Sequence, residues 1–370
     1  MAVSCQSIIN LIERFAPKKQ AEEWDQVGLQ IGSPAQKVNC VFFSLDLNEA
    51  ILDEAIQVGA DMLVVHHTPF FKPLQHLRTD LPQGRLLHKI VQHGLALYAA
   101  HTNLDAAVGG VNDVLAQKLG LQQVGLLAES WQEKLYKLVV FVPVDYTEQV
   151  CAAISEAGAG WIGNYSHCTF RTKGTGTFLP LAEANPFLDE KGELARVEEI
   201  RVETIVPEGK LSKVLQAMLK FHPYEEGAYD LYPLANEGAK TGLGRIGFLP
   251  EALTLQEFNR LVKDKLNIPM VRYCGDLAQK VEKVAVCGGS GASLLNRAAF
   301  LGAHVYLTAD IKYHEAQEAQ ALGLALVDGG HFGTENPIVA VLADYVKVEL
   351  AKDQVRVVSS NLSSDPFRFL

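Results

Sequence analysis

The sequence predicts an α/β protein in which two related α/β halves form one core domain, with a ferredoxin-like domain inserted between them. Three observations indicate this architecture: a strand-helix-strand succession near the N-terminus, the same succession near the C-terminus, and a segment of different pattern between them. We assign residues 1–129 and 239–370 to the two halves of the core and residues 130–238 to the insertion.

The first half begins with a helix and continues as a βαβ unit. At the N-terminus, apolar residues recur at helical spacing until Pro17, which is expected to end the helix. "CVFFSLDL" (Cys40–Leu47) indicates a buried strand, the next segment (Asn48–Ala60) a helix with Asn48 as its cap, and "DMLVVHH" (Asp61–His67) a further strand. This succession predicts parallel strands joined by a right-handed crossover.

The second half repeats this order of elements. "KVAVCGGSG" (Lys283–Gly291) indicates a strand and a glycine turn, residues 292–303 a helix, and "HVYLTAD" (His304–Asp310) a strand. Both halves finish a helix at Gly-Ala and enter an apolar strand that ends in polar residues, which suggests two related halves of one sheet. We expect the glycines of "CGGSG" to serve a tight turn, because the segment is too short for a G-x-x-x-x-G-K-[ST] phosphate loop.

The segment between the halves has its own internal repeat. Residues 134–160 and 199–221 each indicate a strand, a Val-Pro step and a helix, and each is followed by a further strand candidate, His167–Gly174 and Gly227–Leu234. This is the β-α-β-β-α-β order that is typical of a ferredoxin-like domain. The glycine-rich residues 236–247 would return the chain to the core.

Composition and charge exclude several classes of protein. Hydrophobic residues make up 48% of the 370, and the formal net charge is -10, which predicts a soluble chain and argues against nucleic acid as a partner. The longest apolar runs fall short of the roughly 20 residues that span a bilayer, and the N-terminus lacks a signal-peptide core. Six cysteines without a C-x-x-C pair indicate reduced thiols, so we expect a cytoplasmic protein without membrane contact.

Two adjacent histidines, His66 and His67, end the predicted strand in "LVVHHTPFF" (Leu63–Phe71). Ligands of parallel sheets usually bind at the carboxyl ends of the strands. Neighbouring side chains on an extended strand point to opposite faces, so a site shared by both imidazoles requires the chain to turn. Thr68 and Pro69 supply that bend.

Two further pairs combine a histidine with a carboxylate four residues later. "HTNLD" contains His101 and Asp105, and "GGHFGTE" contains His331 and Glu335. On a helix, this spacing places both side chains on one face. Taken singly, each pair also fits a structural hydrogen bond or an ordinary surface pair. Taken together, three clusters at predicted strand-to-helix edges favour a metal site.

The number of candidate ligands suggests two ions. A catalytic zinc commonly has three protein ligands, whereas three histidines, an aspartate and a glutamate exceed that number. Asp105 or Glu335 is then a candidate for a bridging carboxylate. Imidazole and carboxylate ligands suit zinc, iron, manganese, cobalt or nickel, so the identity of the two divalent metal ions stays open.

A fourth pair lies in "TADIKYHEAQ", where Asp310 and His314 are again four residues apart. The strand end that carries Asp310 is equivalent to the one that carries His66, so proton transfer or support of a ligand is one hypothesis for the pair. The alternative is that Asp310 caps the following helix. With His101, these two residues are our candidates for a catalytic role.

Two other polar groups have less specific patterns. "FHPYEEGAYD" in the insertion contains His222, Glu225 and Glu226, for which a structural role in the loop is favoured over metal binding. The pair Trp24 and Asp25 either lines a pocket or holds the fold, and the pattern does not distinguish the two.

Six ordered motifs resemble the NGG-one-interacting-factor-three-like family, whose members are often named GTP cyclohydrolase 1 type 2 homologues. The motifs are "WDQVGLQIG", "SLDLNEAILDEAIQVGADMLVVHHTPFF", "HTNLDAAVGGVND", "VCGGSGASLL", "TADIKYHEAQ" and "DGGHFGTE". The resemblance covers roughly residues 1–127 and 240–370, and the insertion is similar to the PII and CutA ferredoxin-like fold. It implies a homohexamer, a toroid with its metal sites facing an inner cavity.

The resemblance also implies a dinuclear metal centre with five protein ligands. His101 fits the same motif and is placed beside the metals, as an extra ligand or as a hydrogen-bond partner of one. The positions that match the family's ligands are His66, His67, Asp105, His331 and Glu335.

Two hypotheses of function follow. The first is a metal-dependent hydrolase, like a GTP cyclohydrolase, that acts on a nucleotide or a related small molecule through a metal-bridged water. The alternative is a non-enzymatic role in metal handling, or a regulatory scaffold whose PII-like insertion senses a ligand. A role as a partner of transcription proteins has no support in the charge balance.

Overall fold

The computed structural model describes residues 2–71, 76–184 and 191–369. The backbone divides into two compact units, of which the first combines Met1–Trp131 with Thr241–Leu370 and the second is Gln132–Lys240. The structure is a mixed α/β arrangement with several sheets and helices. Among the described residues, no helix has the length and apolar character needed to cross a membrane.

The first sheet of the first unit has five strands. Four are parallel and the last, at one edge, is antiparallel to its neighbour. Every residue of the three central strands is buried, as expected for parallel strands that are covered on both faces. In spatial order the strands are Arg356–Ser359, Cys40–Ser44, Met62–Val65, Ala96–Ala99 and Gly28–Ile31.

The second sheet of this unit has six strands, and three of them form a parallel group at its centre. Antiparallel strands flank this group on both sides. In spatial order the strands are Arg272–Cys274, Ala325–Asp328, Val305–Thr308, Lys280–Val286, Arg245–Thr254 and Gln122–Leu126.

The prediction that the two halves share one sheet is wrong. The first unit has two large sheets, each built around the parallel strands of one half and completed by a strand from the other. The C-terminal strand Arg356–Ser359 pairs with Cys40–Ser44 in the first sheet, and Arg245–Thr254 pairs with Lys280–Val286 in the second. The halves also exchange strands, since Gln122–Leu126 from the first half forms an edge of the second sheet.

The helices of the first unit begin and end at recognisable signals. Asn48 is the predicted cap, and its Oδ1 accepts a hydrogen bond from the backbone N–H of Ile51 at 3.0 Å. The N-terminal helix ends two residues before Pro17. The α-helices are Cys5–Phe15, Glu49–Gln57, Pro82–Gln92, Thr102–Ala106, Val111–Lys118, Leu255–Leu266, Leu295–Phe300, Tyr313–Ala321, His331–Glu335 and Pro337–Glu349.

Shorter elements complete the first unit. Two-residue strands lie at Val3–Ser4 and Lys37–Val38, which pair with each other. Single 3-10 turns lie at Lys18–Gln20 and Ala292–Leu294. Two further two-residue strands, Trp131–Gln132 and Lys240–Thr241, mark the points where the chain leaves and re-enters the unit.

The first sheet is packed on both faces. Side chains alternate along a strand, so Phe42 and Phe43 belong to different hydrophobic clusters although both are fully buried. On one face the helices Cys5–Phe15 and Pro337–Glu349 cover the sheet, and on the other Glu49–Gln57 and Pro82–Gln92 do so. This packing holds the carboxyl ends of the strands in fixed positions.

The second unit contains one antiparallel sheet of four strands, in the spatial order Thr169–Phe178, Ala195–Pro207, Leu135–Pro143 and Tyr229–Leu234. Along the chain, the elements follow one another as strand, helix, strand, strand, helix and strand. The two α-helices are Thr147–Ala157 and Leu211–Phe221, and each follows a single 3-10 turn, Val144–Tyr146 and Glu208–Lys210. Both helices pack on one face of the sheet.

Candidate metal centre

The predicted histidines of the first half lie at the carboxyl ends of its parallel strands. Met62–Val65 ends directly before His66 and His67, whose backbone N–H groups both donate to the carbonyl of Leu45, at 3.0 and 2.9 Å. These bonds bend the chain away from an extended strand. Both imidazoles can therefore face one pocket, as the sequence predicts, and their ring centroids lie 4.7 Å apart.

The other two pairs lie on short helices that follow the third parallel strand of each sheet. Asp105 lies in Thr102–Ala106, with His101 at the position before the helix. His331 and Glu335 are the first and last residues of the other short helix. In both cases the four-residue spacing brings the histidine and the carboxylate to one face.

Six side chains from both halves converge on one pocket. They form three overlapping groups, and within each group the ligand atoms all lie within 4.8 Å of one another. Such groups are able to hold a metal ion. The groups are His66 with His67 and His101, His67 with His331 and Glu335, and His66 with Asp105 and Glu335.

Glu335 is the most central member of this set. Its Oε2 lies 3.1 Å from the Nε2 atoms of both His67 and His331, and 3.8 Å from Nε2 of His66. Oδ1 of Asp105 lies 3.6 Å from Nε2 of His66. Glu335 thus belongs to two of the three groups, and it joins the histidines of the first half to that of the second.

All four imidazoles present the same nitrogen to the pocket. In each ring, Nδ1 faces an oxygen atom outside the cluster, which places the proton on Nδ1 and turns Nε2 inward as a ligand. Histidines that bind metals are commonly oriented in this way. The acceptors are the Ala100 carbonyl for His66 at 2.8 Å, Asp46 Oδ1 for His67 at 2.7 Å, both carboxylate oxygens of Asp25 for His101 at 3.0 Å, and Asp310 Oδ2 for His331 at 2.6 Å.

When each imidazole carries its proton on Nδ1 alone, three atoms in the pocket are buried and make no hydrogen bond. Among the described residues, this set includes Nε2 of His66, Oδ1 of Asp105 and Oε2 of Glu335. An unsatisfied buried polar atom costs about 1–3 kcal/mol, and more when it is charged. A cation among these three atoms would satisfy all of them, so the residues fit a metal ion.

The electrostatics of the pocket also favour a cation. Burial works against the imidazolium of His67, but contacts with Asp46 and Glu335 outweigh it and raise the pKa to about 10. Burial likewise opposes the charged form of His331, whose contacts with Glu335 and Asp310 raise its pKa to about 9. Without a metal, these two imidazoles carry protons that a divalent ion would displace.

The pKa values of the two carboxyl groups in the pocket are shifted in opposite directions. Burial raises the pKa of Asp105 to about 6, although His66 acts against this effect. Burial also disfavours the charged form of Glu335, yet the surrounding imidazoles of His331, His66 and His67 hold its pKa well below the usual range. Glu335 therefore carries a negative charge among the imidazoles.

Glycine at position 289 makes room for Glu335. Gly289 has φ +60°, which agrees with the predicted turn, and a Cβ atom there would lie 2.0 Å from Oε1 of Glu335. Its N–H donates to Thr334 Oγ1, and its carbonyl accepts from Thr308 Oγ1, both at 3.0 Å. The segment "CGGSG" thus serves a turn and, in addition, a close approach that the sequence pattern did not indicate.

Asn112 connects the two halves beside the pocket. Its Nδ2 donates to the carbonyl of Asp105, and its Oδ1 accepts from the N–H of Gly288, both at 3.0 Å. The next residue, Asp113, forms an ion pair with the buried Arg245. These bonds set the position of the helix that carries Asp105 relative to the second sheet.

Asp310 supports His331 rather than the next helix. Its carboxylate accepts from Nδ1 of His331, whereas the residue at the cap of the helix Tyr313–Ala321 is Lys312. The alternative prediction, that Asp310 caps this helix, is therefore wrong. Asp310 has φ +56°, a conformation that costs energy for any residue but glycine and that recurs at functional sites.

His314 lies outside the cluster. Its Nδ1 is 3.0 Å from Oε1 of Gln317, its ring meets that of Tyr313, and it belongs to none of the ligand groups found among the described residues. A catalytic role for His314 stays a prediction.

The histidine of the polar cluster in the insertion makes structural hydrogen bonds. His222 is buried, its Nε2–H donates to the Phe141 carbonyl at 2.9 Å, and its Nδ1 accepts from the N–H of Tyr224 at 3.2 Å. Both ring nitrogens are thus engaged by the backbone. Within the described part of the chain, His222, Glu225 and Glu226 form no metal-ligand group.

Sequence reasoning missed one important partner and left another undecided. Asp46, which orients His67, lies two residues after the end of the strand Cys40–Ser44. This position at the end of a predicted strand is the feature of the sequence that could have identified it. Asp25 proves to anchor the site, because it accepts bonds from His101 and from both the N–H and the hydroxyl of Thr102. These bonds hold the pKa of Asp25 at about 2, against the opposing effect of burial.

An aromatic wall borders His101. We use this name for Trp24 and Phe71, whose side chains are exposed although both are large and apolar. Their ring centroids are 5.7 Å apart, and they lie 6.1 and 5.6 Å from the ring of His101. The wall therefore offers an accessible apolar surface directly beside the cluster.

Comparison with known proteins identifies one family across almost the whole chain. The sequence profile of Duf34/NIF3 (NGG1p interacting factor 3) matches residues 3–366. Two similar proteins, from Halalkalibacterium halodurans and Bacillus subtilis, are both named GTP cyclohydrolase 1 type 2 homolog. The first is 47% identical over 371 residues and covers 99% of this chain and 98% of that protein. The second is 45% identical over 375 residues and covers 100% and 99%.

Solved structures agree with this relationship. A crystal structure of a Bacillus cereus protein related to NIF3 superposes with a TM-score of 0.94 at 46% identity, and covers 100% of this chain and 99% of that one. A Staphylococcus aureus protein superposes with a TM-score of 0.76 at 28% identity, with 100% and 99% coverage.

Proposed function

The chain belongs to the Duf34/NIF3 family, and from this premise we propose that its cluster binds two divalent metal ions and that the protein is a metal-dependent hydrolase. One observation carries the proposal. Three buried atoms without hydrogen bonds, on His66, Asp105 and Glu335, point into a pocket where oriented imidazoles meet. The ligand set comprises the three histidines His66, His67 and His331 with Asp105 and Glu335, and His101 stands beside it.

Two ions fit the ligand set better than one. His66, Asp105 and Glu335 form one group, and His67, His331 and Glu335 form another, with Glu335 as the shared carboxylate. Each group supplies three protein ligands, the usual number for a catalytic site. Because the donors are imidazole nitrogen and carboxylate oxygen, zinc, iron, manganese, cobalt and nickel are the candidate metals.

Divalent ions there would supply Lewis-acid polarisation of a substrate and would make water more acidic. The residues of the chain supply orientation. Asp46 and Asp310 keep the protons of His67 and His331 on Nδ1, so that both rings present Nε2 to the pocket. Asp310 is thus a positioning residue, and His101 is held at the pocket by Asp25.

The aromatic wall indicates the kind of substrate. Trp24 and Phe71 are 57% and 45% exposed, so their faces are free to stack on a planar ring that reaches the metals past His101. Aromatic pairs prefer offset or edge-to-face packing, which a purine base satisfies. A nucleotide or a related heterocycle therefore fits this site, in agreement with the names of the relatives.

A substrate screen tests this function. We would assay the protein loaded with each candidate metal on a panel of nucleotides and related heterocycles, beside Asp105→Ala and Trp24→Ala. We expect turnover by the wild type, none by Asp105→Ala, and a raised KM for Trp24→Ala. Equal activity of wild type and Asp105→Ala would identify a contaminant, and inactivity under every metal would refute the hydrolase.

The second candidate function is metal handling under the control of a ligand. A large cavity in the second unit favours it, since it lies in a part of the chain that contributes nothing to the metal cluster. Metal-loaded protein that turns over no substrate but transfers its ions to an acceptor chelator, at a rate that depends on a small molecule, would support this candidate.

We also propose that residues 130–238 are an inserted ferredoxin-like domain of the PII and CutA kind. The order of its elements along the chain and the antiparallel pairing of its four strands support this assignment. The compact unit Gln132–Lys240 lies close to the predicted boundaries. Excision of 130–238 with a short linker should leave a soluble core that still binds metal, and an insoluble product without metal would count against the boundaries.

A homohexamer is the assembly that we propose, on the resemblance to the family alone. Sedimentation velocity of the purified protein tests it directly. A single species of six chains is the expected result, and a stable monomer would contradict it.

A further inference from the structure

A cavity of about 880 Å³ lies against the four-stranded sheet of the second unit. Alternate residues of the strands point to opposite faces. Val140, Val142 and Val202 point toward the two helices and are buried there, whereas Phe141 and Arg201, their neighbours along the strands, line the cavity. The cavity therefore lies on the face that the helices leave open.

A buried carboxylate forms part of the cavity wall. Glu199 is 8% exposed, and its Oε1 accepts a hydrogen bond from the hydroxyl of Tyr224 at 2.9 Å. The neighbouring strand makes room for it at Gly176, where a Cβ atom would lie 2.2 Å from Glu199 Oε2. A glycine at this position thus lets the carboxylate lie flat against the sheet.

The partner of Glu199 is itself held in place. The N–H of Tyr224 donates to Nδ1 of His222, and Nε2–H of His222 donates to the carbonyl of Phe141 in the central strand. The ring of Tyr224 meets that of Phe178 edge to face, with centroids 5.6 Å apart. His222 therefore has a definite task, which is to fix the loop that brings Tyr224 to Glu199.

The charges around the cavity favour a cation. Four carboxylates line it, against two cationic side chains, and one of these, Arg201, pairs with Glu203 at 3.0 Å. A buried carboxylate is costly unless it is paired, and the neutral hydroxyl of Tyr224 does not balance its charge. The carboxylates are Glu183, Glu199, Glu225 and Glu226.

We propose that this cavity binds a small organic cation: its ammonium or amidinium group meets Glu199, and its flat apolar body packs against Phe178 and Tyr224. A pocket with aromatic walls and a single placed charge is the usual form of a small-molecule site. The proposal is independent of the metal centre, because all of its residues belong to the second unit.

Three probes of one shape test the charge preference on the full-length protein. Benzamidine is a cation, benzamide is its neutral counterpart, and benzoate is the anion. By calorimetry and saturation-transfer NMR we expect benzamidine to bind about tenfold more tightly than benzamide, which is the contribution of one charge-assisted hydrogen bond, and benzoate not to bind. Equal binding of benzamidine and benzamide would overturn the proposal.

Variants locate the binding. Glu199→Gln should bring the ratio of benzamidine to benzamide affinity close to one. Glu198→Gln should leave the ratio unchanged, because Glu198 is an exposed carboxylate of the same strand that is not among the residues lining the cavity. Gly176→Ala keeps the charge but displaces the carboxylate, so it should also reduce the ratio, and it keeps the test decisive if Glu199→Gln unfolds the unit. A ratio that survives both changes would refute the site.

A second copy of the chain is the competing occupant of this face. If Glu199→Gln lowers the number of associated chains in sedimentation velocity and the wild type shows no preference for benzamidine, the cavity belongs to an interface and the proposal is wrong.

Discussion

The two halves of the core end their third parallel strand in the same way but contribute differently to the metal cluster. In each half, a short helix after this strand carries a carboxylate four residues beyond a histidine. In the first half, Asp105 reaches only one imidazole, that of His66. In the second half, Glu335 reaches His331 of its own half and both His66 and His67 of the other.

This difference explains why neither half is a complete site. The first half supplies three imidazoles at the ends of its strands but only a short carboxylate, whereas the second supplies one imidazole and a carboxylate that is longer by one methylene group. Glu335 crosses to the histidines of the first half because Gly289 leaves space for it. The cluster is therefore a product of the contact between two related halves.

Removal of the second half's contribution should have the largest effect. We expect the double variant His331→Ala with Glu335→Ala to lose nearly all bound metal, because Glu335 is shared by both ligand groups. Elemental analysis of the purified protein measures this. His314→Ala, a histidine on the next helix outside the cluster, is the matched control, and an unchanged metal content in the double variant would refute the assignment.

Neutralising the first half's carboxylate should have a smaller effect. Asp105 belongs to one ligand group only, so Asp105→Asn should lower the metal content from about two ions per chain toward one. Metal content and thermal unfolding should be followed together. Loss of both ions from a folded Asp105→Asn protein would show that the two groups are not separable.

The carboxylates that accept hydrogen bonds from Nδ1 of His67 and His331 allow a direct comparison of the two halves. Asp46 orients His67 and Asp310 orients His331, and each of Asp46→Asn and Asp310→Asn should weaken metal binding by about 10–100-fold. Asp46→Asn should have the larger effect, because the side chain of His67 is 22% exposed and that of His331 is 37% exposed. Competition with a fluorescent chelator measures both affinities, and two unchanged values would exclude a role for these carboxylates.

The pH dependence of metal binding tests the protonation of His67 and His331 without any change in the sequence. The pKa values of His67 and His331 are about 10 and 9 in the metal-free pocket, so both imidazoles are protonated at neutral pH. A divalent ion binds the neutral ring, so its affinity should rise with pH and binding should release protons. An ion held by both His67 and His331 displaces two protons below pH 9, which predicts a rise of roughly a hundredfold per pH unit. Calorimetry in buffers of different ionisation enthalpy counts them, and an affinity independent of pH would contradict the protonated pocket.

Local sequence signals were sufficient for most of the candidate site. His66 and His67 follow an apolar run. The spacing of four residues from His101 to Asp105, and from His331 to Glu335, predicts that each pair lies on one face of a helix. The structure brings all six together. By contrast, the assignment of both halves to one sheet was wrong, because the sequence of an apolar strand does not indicate which strand it will pair with.

The type and order of the elements and the residues with ligand chemistry follow from local patterns, because periodicity, caps and turns act over a few residues. Three features of the site are visible only in the folded chain: Glu335 is shared by two groups, Asp46 and Asp310 orient the imidazoles, and Gly289 leaves room for a carboxylate. Those features depend on contacts between side chains far apart in the chain, such as His67 and His331, which lie 3.3 Å apart at their Nε2 atoms. No local pattern encodes such a distance, because it results from how two separately formed sheets pack.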